Sequence, residues 1–389
     1  MRILKSMMVA WMMMSAINAG AQQLPTDGPL TINEKLQSLA TRLLNNKQGS
    51  IIAIEPSTGR ILCLVSHERI VDNINRAISK DYSPGSTFKT AQALTMITER
   101  ELGRDTSFSC HKGFWQKNIH IGCHEHRSPL KLVQAIGQSC NSYFCKAFSK
   151  MMDDRKKYPT KIDAINKWAA YMYSMGLGHP LGVDIPGEIG GRVPDAAYLE
   201  KTTKGRWNGT TIMWVGMGQG EIRCTPLQLC NLAAIIANRG WYITPHIHAA
   251  TKTHHLAEKY TEKRYSRPSQ EAYDIVIEGM RACITGGTAA SINTPHYKIC
   301  GKTGTAENRG DDHSVFIGFA PMQDPKIAVS VYVENGGFGA DLSAPMASLI
   351  MEQYLTGKLS PTSEAKAKKW ERKTVKVTAR QIPVNLDSL

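Results

Sequence analysis

The chain has 389 residues, of which 47 are Lys or Arg and 33 are Asp or Glu, giving a formal net charge of +14. That length buries a large core in one big domain or two modest ones. The basic excess is spread out, without an arginine-rich helix or aromatic-basic interleaving, which argues against nucleic acid as a partner and fits an anionic cell wall or membrane surface.

Arg2 and Lys5 precede an apolar run over residues 7–16, followed by Ala19-Gly20-Ala21. The run is short for a bilayer span, so residues 1–21 read as a secretory signal peptide, with an uncleaved membrane anchor as the alternative. Either way the remainder is exported to a periplasmic or extracytoplasmic location. Residues 22–47 form a lead-in with a short amphipathic helix that presents Ile32, Leu36, Leu39 and Leu43 on one face.

A strand over residues 49–55, a turn at Pro56-Ser57-Thr58-Gly59 and a strand over residues 60–65 form a hairpin. Further strands are expected at 297–303, 314–319 and 327–333, then a helix near 340–354. Most of the chain between residues 86 and 285 has helical period. The fold class is therefore α+β, an antiparallel sheet built from both chain ends with a large helical insert. Residues 48–358 make this domain and residues 359–389 a basic C-terminal tail. One internal helix is well marked by Thr225 as N-cap, Pro226 in the first turn, Gln228 three residues after the cap and Gly240 at the end. The preceding Gly216-Met217-Gly218-Gln219-Gly220 lacks the Lys-Ser/Thr and the placed acid of a nucleotide loop.

Three short motifs carry chemistry. In Ser83-Pro84-Gly85-Ser86-Thr87-Phe88-Lys89 a Pro-Gly turn enters a helix expected to run from Thr87 to about Leu102, with Gly103 at its C-cap. Lys89 then falls one turn above Ser86 on nearly the same face, so its amine can reach the serine oxygen, as a nucleophile and its base require. Ser-x-x-Lys also occurs at Ser109/Lys112, Ser128/Lys131 and Ser363/Lys366, where a capping serine and a surface lysine explain it. The Ser86 copy gains weight from two further pieces in a fixed order, Ser139-Cys140-Asn141 and then Lys302-Thr303-Gly304-Thr305, the last of which occurs only once.

With these motifs placed, the chain resembles the transpeptidase domain of a class B penicillin-binding protein, most closely the elongation-type penicillin-binding protein 2 group. The similarity runs from about residue 48 to 357 and includes Met217-Gly218-Gln219-Gly220-Glu221 and Gly286-Gly287-Thr288-Ala289. It implies the penicillin-binding protein and serine β-lactamase-like fold. The implied activity is an exported acyl-serine D,D-transpeptidase that cross-links peptidoglycan stem peptides and is acylated by β-lactams. Cell-wall synthesis proteins are its implied partners. Ser86 would attack the D-Ala-D-Ala carbonyl, Lys89 would take its proton, Ser139 would relay a proton to the leaving amine, and Asn141 would orient Lys89 and the substrate. Lys302 would add positive charge, Thr303 and Thr305 would hold the terminal carboxylate, and the N–H groups of Ser86 and Thr305 would form an oxyanion hole. Gly304 would leave the strand bare for an approaching substrate backbone.

Other readings keep the serine chemistry but change the fate of the acyl group. A D,D-carboxypeptidase differs in acceptor access, and a serine β-lactamase needs a deacylating base for which no Glu-bearing loop is recognisable. A binding protein without turnover for β-lactams or the wall would tolerate loss of the motifs, and all three are intact.

The chain has nine cysteines, an odd number that leaves at least one unpaired. Cys63, Cys224, Cys230, Cys283 and Cys300 read as small buried residues. Cys110, His111, His120, Cys123, His124, His126 and Cys140 crowd together between the first two motifs. The chemistry requires no cofactor, but some penicillin-binding protein 2 members are similar here, with a zinc ion beside the active site. The matching positions are Cys110, Cys123, His126 and Cys140, with His124 as a substitute ligand. A Cys110–Cys123 disulfide and a set of unrelated loop residues remain as alternatives.

Overall fold

The computed structural model describes residues 28–116, 119–308 and 310–377, so the expected signal peptide lies outside the described residues. Helix α1 (Glu34–Leu44) leads into the hairpin β1 (Gly49–Ile54) and β2 (Ile61–His67). A 3-10 turn (Gly85–Phe88) opens α2 (Lys89–Thr98). A small hairpin of β3 (Gly113–Gln116) and β4 (Ile119–Gly122) precedes helices α3 (Leu132–Gly137), α4 (Asn141–Asp153), α5 (Lys161–Ser174) and α6 (Ala196–Thr203). After them come α7 (Pro226–Ala237) and α8 (Gln270–Thr285). The chain then returns through β5 (Cys300–Ala306), β6 (His313–Ala320) and β7 (Ile327–Val333) to α9 (Ser343–Thr356) and α10 (Pro361–Arg372).

The five long strands form one antiparallel sheet in the order β2-β1-β7-β6-β5. Strand β1 is buried along its whole length, because both faces of the sheet are covered. Ile51 and Ala53 join Leu36, Leu39, Leu43, Val331 and Met346 in the layer made with α1 and α9. Ile52 and Ile54 point the other way, into the larger core shared with the insert. There α7 lies directly on the sheet, and all twelve of its residues are buried, as an all-round apolar helix requires. Its start follows the sequence: Thr225 Oγ1 accepts from Gln228 N at 3.2 Å and Gln228 Oε1 from Thr225 N at 2.9 Å.

Three boundaries differ from the sequence reading. Strand β5 runs over Cys300–Ala306 rather than 297–303, because its ladder to β6 starts where Cys300 opposes Phe319 and ends where Ala306 opposes His313. All of Lys302-Thr303-Gly304-Thr305 therefore lies within an edge strand. Helix α2 stops at Thr98, short of Leu102. Arg100 takes the left-handed position at φ 57° in place of Gly103. Glu99 turns inward to accept from Tyr158 Oη at 2.8 Å and Tyr171 Oη at 2.6 Å. Within the expected basic tail, α10 is capped by Ser360 and docks on α1 and the turn after it, where Arg42 meets Glu364 at 2.8 Å and Lys47 Nζ donates to Trp370 O at 2.5 Å. Its sparse apolar face, Ala367 and Trp370, gives almost no helical period. Among the described residues no helix is long and apolar enough to cross a membrane.

Glu334 ties the sheet to the segment that leads into the 3-10 turn. Its carboxylate accepts from Arg76 Nε at 3.0 Å, Lys80 Nζ at 2.8 Å, Tyr82 Oη at 2.7 Å and Gln48 Nε2 at 3.0 Å. Burial pushes its pKa up, but Lys80, Tyr82 and Gln48 outweigh that and hold it at about 2. Because the folded pKa lies below the unfolded one, the stabilisation is complete above the ordinary glutamate range and is lost as pH falls toward 2. We expect Glu334→Gln to cost about 2 kcal/mol at neutral pH, since it removes the charged acceptor shared by Arg76, Lys80 and Tyr82, while Arg76 keeps Asp72 at 2.6 Å. Its stability difference from the parent should shrink steadily below about pH 4.5, as denaturant titrations at several pH values would show.

Candidate active site

The 3-10 turn and the three motifs meet around a pocket of about 470 Å³ lined by Ser86, Ser139, Asn141, Gln219, Thr288, Thr303, Gly304 and Thr305. Ser86 sits in the turn, and Lys89 begins α2 with its N–H donating to Ser86 O and Thr87 O. The amine of Lys89 is fully buried. It donates to Asn141 Oδ1 at 2.5 Å and Ser139 O at 2.8 Å, with Ser139 Oγ at 3.4 Å. Among the described residues its side-chain bonds all go to this second motif rather than to Ser86. Burial lowers its pKa from 10.5 to about 8.

Ser139-Cys140-Asn141 is a helix joint. At the end of α3, Ser139 adopts φ 56° and its N–H donates to Ile136 O at 3.1 Å, while Cys140 N–H donates to Ala135 O at 3.0 Å. A left-handed serine costs about 1 kcal/mol, so this conformation is held by its surroundings. Cys140 then caps α4, its sulfur accepting from Tyr143 N at 3.4 Å. Asn141 Nδ2 donates to Gly122 O at 2.8 Å, which leaves its oxygen turned to Lys89.

Strand β5 supplies the opposite wall. Lys302 is fully buried, its amine donates to Thr303 O at 2.9 Å, and burial first of all lowers its pKa to about 7. Its positive charge is thus readily lost, and an arriving carboxylate would favour it. A Cβ on Gly304 would fall 2.9 Å from Thr87 Cγ2, so this glycine lets the strand lie against the serine turn. Gly85 makes the matching approach: its Cβ would fall 2.6 Å from Thr305 O.

The loop carrying Gly218-Gln219, which the sequence reading excluded as a nucleotide loop and counted in the family resemblance without a role, holds the turn that carries Ser86. Gly218 O accepts from Gly85 N at 2.9 Å, and Gln219 Nε2 donates to Thr305 O at 3.2 Å. Gly218 stands at φ 77°, and a Cβ there would fall 2.1 Å from Gly85 O. The paired glycines were the available signal, but their target, another glycine far upstream, is invisible in one sequence.

Cys110, Cys123, His126 and Cys140 converge beside the pocket, their donor atoms all within 4.8 Å of one another. Cys123 Sγ lies 3.5 Å from His126 Nε2 and accepts from Asn141 N at 3.4 Å. A hydrogen bond from Cys140 is the largest influence on Cys123, lowering its pKa to about 2, and Cys140 is pushed up in return. Among the described residues all nine cysteines are free thiols, and three of them with one histidine meet at a single point rather than as a pair. His126 occupies the fourth corner, and His124 lines the pocket that holds Ser86.

Residues 49–352 match the penicillin binding protein transpeptidase domain. The chain belongs to that family. Among curated relatives it is 31% identical to the peptidoglycan D,D-transpeptidase MrdA of Acinetobacter baumannii, over 86% of this chain and 55% of the relative. It is 29% identical to the peptidoglycan D,D-transpeptidase PbpA of Mycobacterium tuberculosis, over 84% of this chain and 72% of the relative. The crystal structure of Pseudomonas aeruginosa PBP2 in complex with WCK 5153 superposes with a TM-score of 0.75 at 29% identity, covering 86% of this chain and 77% of that one. The chain spans 55 to 60% of the MrdA relatives' length. Its fold is that of the penicillin-binding protein transpeptidases, as the motifs imply.

The glycine contact gives a test independent of chemistry. Gly218→Ala should destabilise the transpeptidase domain by about 2 kcal/mol or more, combining left-handed strain with a clash against backbone. Gly220→Ala should cost about 1 kcal/mol, because at φ 67° its Cβ would meet only the Trp214 side chain, at 3.3 Å. Urea melts of the two variants check the difference.

Proposed function

We propose that this chain is an acyl-serine D,D-transpeptidase acting on peptidoglycan stem peptides outside the cytoplasm. The observation that carries the reading is the buried Lys89 amine, lowered to about 8 and fixed by Ser139 and Asn141 one turn from Ser86. Neutral Lys89 takes the proton of Ser86 as its oxygen bonds to the carbonyl carbon of the penultimate D-Ala. The oxyanion lies toward the N–H groups of Ser86 and Thr305. The C–N bond then breaks, the departing nitrogen receives a proton by way of Ser139, and D-Ala leaves with the acyl group esterified to Ser86. An amine of a second stem peptide attacks that ester, the C–O bond breaks, and the proton returns to Ser86. Thr303 and Thr305 hold the terminal carboxylate, with Lys302 charged beside them. Water in place of the amine would make the same site a carboxypeptidase.

Penicillin should form a long-lived ester on Ser86, seen by mass spectrometry as a persistent adduct that Ser86→Ala abolishes. Lys89→Arg should slow acylation about 100-fold or more, close to Lys89→Ala, because arginine keeps its charge and cannot take the serine proton. Rapid drug turnover without an adduct would make the protein a β-lactamase, and near-native acylation by the arginine variant would remove Lys89 as the base.

We also infer a structural zinc at Cys110, Cys123, His126 and Cys140. The donors are soft, four in number and already clustered, and Cys123 ionises readily, all of which suits Zn²⁺. The metal would supply stability and hold the Ser139-Cys140-Asn141 joint through the Cys140 sulfur. Elemental analysis of protein purified without chelator should give about one zinc per chain. Cys123→Ser should lose the metal and lower the melting temperature and the acylation rate together. A metal-free native protein with a Cys110–Cys123 bridge in its peptide map would replace zinc by the disulfide.

A further inference from the structure

Three side chains that the motifs do not connect form a row from the protein interior to the pocket wall. Cys283, in the last turn of α8, is fully buried and its sulfur lies 3.2 Å from Thr288 Oγ1. Thr288 Oγ1 in turn lies 2.6 Å from Thr303 Oγ1, and both threonines line the pocket. The loop that carries Thr288 is pinned to the second motif. Thr288 N donates to Gly137 O at 3.2 Å, and Gln138 Nε2 donates to Gly286 O at 3.0 Å. Gly287 permits that approach, since a Cβ there would fall 2.2 Å from Gly137 O. Thr288 therefore bridges the turn before Ser139 and the strand that carries Lys302.

The row acquires a direction once a carboxylate ligand is considered, and that ligand rests on the transpeptidase reading. Each hydroxyl and the thiol has one proton to donate. An ionised carboxylate only accepts, so Thr303 must donate its single proton to the substrate. It must then accept from Thr288, whose own oxygen accepts from the Cys283 thiol. We propose that Thr288 is a positioning residue for carboxylate recognition: by occupying the accepting side of Thr303 it aims the Thr303 proton at the substrate's terminal carboxylate, and Cys283 orients Thr288. Successive bonds in one direction polarise one another, which strengthens the last donor.

The test compares acylation by benzylpenicillin with acylation by its carboxamide, which replaces the anionic acceptor by a neutral group. The parent should prefer the free acid. Thr288→Val, nearly isosteric but without the hydroxyl, should lower the second-order rate with benzylpenicillin about 10-fold, the loss of one charge-assisted bond, and the carboxamide rate only about 2-fold, because the amide C=O accepts a weaker neutral bond. Thr288→Ser should restore the preference. Cys283→Ala, at the far end of the row, should reduce the preference about 3-fold and Cys283→Ser should keep it, which provides a second reading if Thr288→Val folds poorly. Equal losses with both ligands would assign Thr288 a packing role and overturn the proposal, as would an undiminished preference in both Thr288→Val and Cys283→Ala. A parent that acylates Ser86 but does not prefer the acid would overturn the proposal alone. A parent that forms no ester with either ligand would overturn the transpeptidase reading as well.

Discussion

The Lys89 amine is sealed from solvent and held by a backbone carbonyl and a side-chain amide that both belong to Ser139-Cys140-Asn141. An ammonium in that place is costly, so burial favours the neutral base. The same contacts set the geometry of the joint. Ser139 can keep φ 56° only while α3, α4 and the lysine all bear on it. Asn141 presents its oxygen to Lys89 because its nitrogen is already committed to Gly122 O. The first two motifs are thus one mechanical unit.

That unit needs a wall to work against, and the sheet provides it. Strand β5 is an edge strand, with β6 on one side only, so a peptide in extended conformation could lie along it. The wall reaches the serine turn through glycines, Gly85 against Thr305 and Gly304 against Thr87, while the loop of Gly218 backs Gly85 from the other direction. A side chain at any of these positions would clash with its neighbour and shift the turn that carries Ser86. Glu334 does the corresponding work from behind, joining the end of β7 to Arg76, Lys80 and Tyr82 just before the turn.

The Cys/His cluster adds a fixed point at the opposite rim. Two sulfurs gather at the N-terminus of α4, Cys140 accepting from Tyr143 N and Cys123 from Asn141 N. A helix N-terminus favours negative charge, which suits Cys123 as the readily ionised member. Under the zinc proposal, the metal and Lys89 would grip the same three-residue joint from two sides.

The sequence alone was enough for the α+β class, for the helix start at Thr225-Pro226, for the order of the three motifs and for the crowding of cysteine and histidine between them. These features are local: a cap, a period or a run of residues carries its own physical cause. It was also enough for Lys89 to fall one turn from Ser86, since a three-residue step makes about one turn in a 3-10 helix or an α-helix alike. Other features depended on partners distant in the chain. The register of β5 is set by β6, and the early end of α2 by Tyr158 and Tyr171 drawing Glu99 inward. The helix in the C-terminal segment exists because Arg42 of α1 and Lys47 of the turn after it are there to receive it. Gly218, Gln219 and Thr288 lie in segments that the family resemblance marks without giving a reason. Their reasons are Gly85 O, Thr305 O and Thr303 Oγ1, atoms that only folding brings within reach.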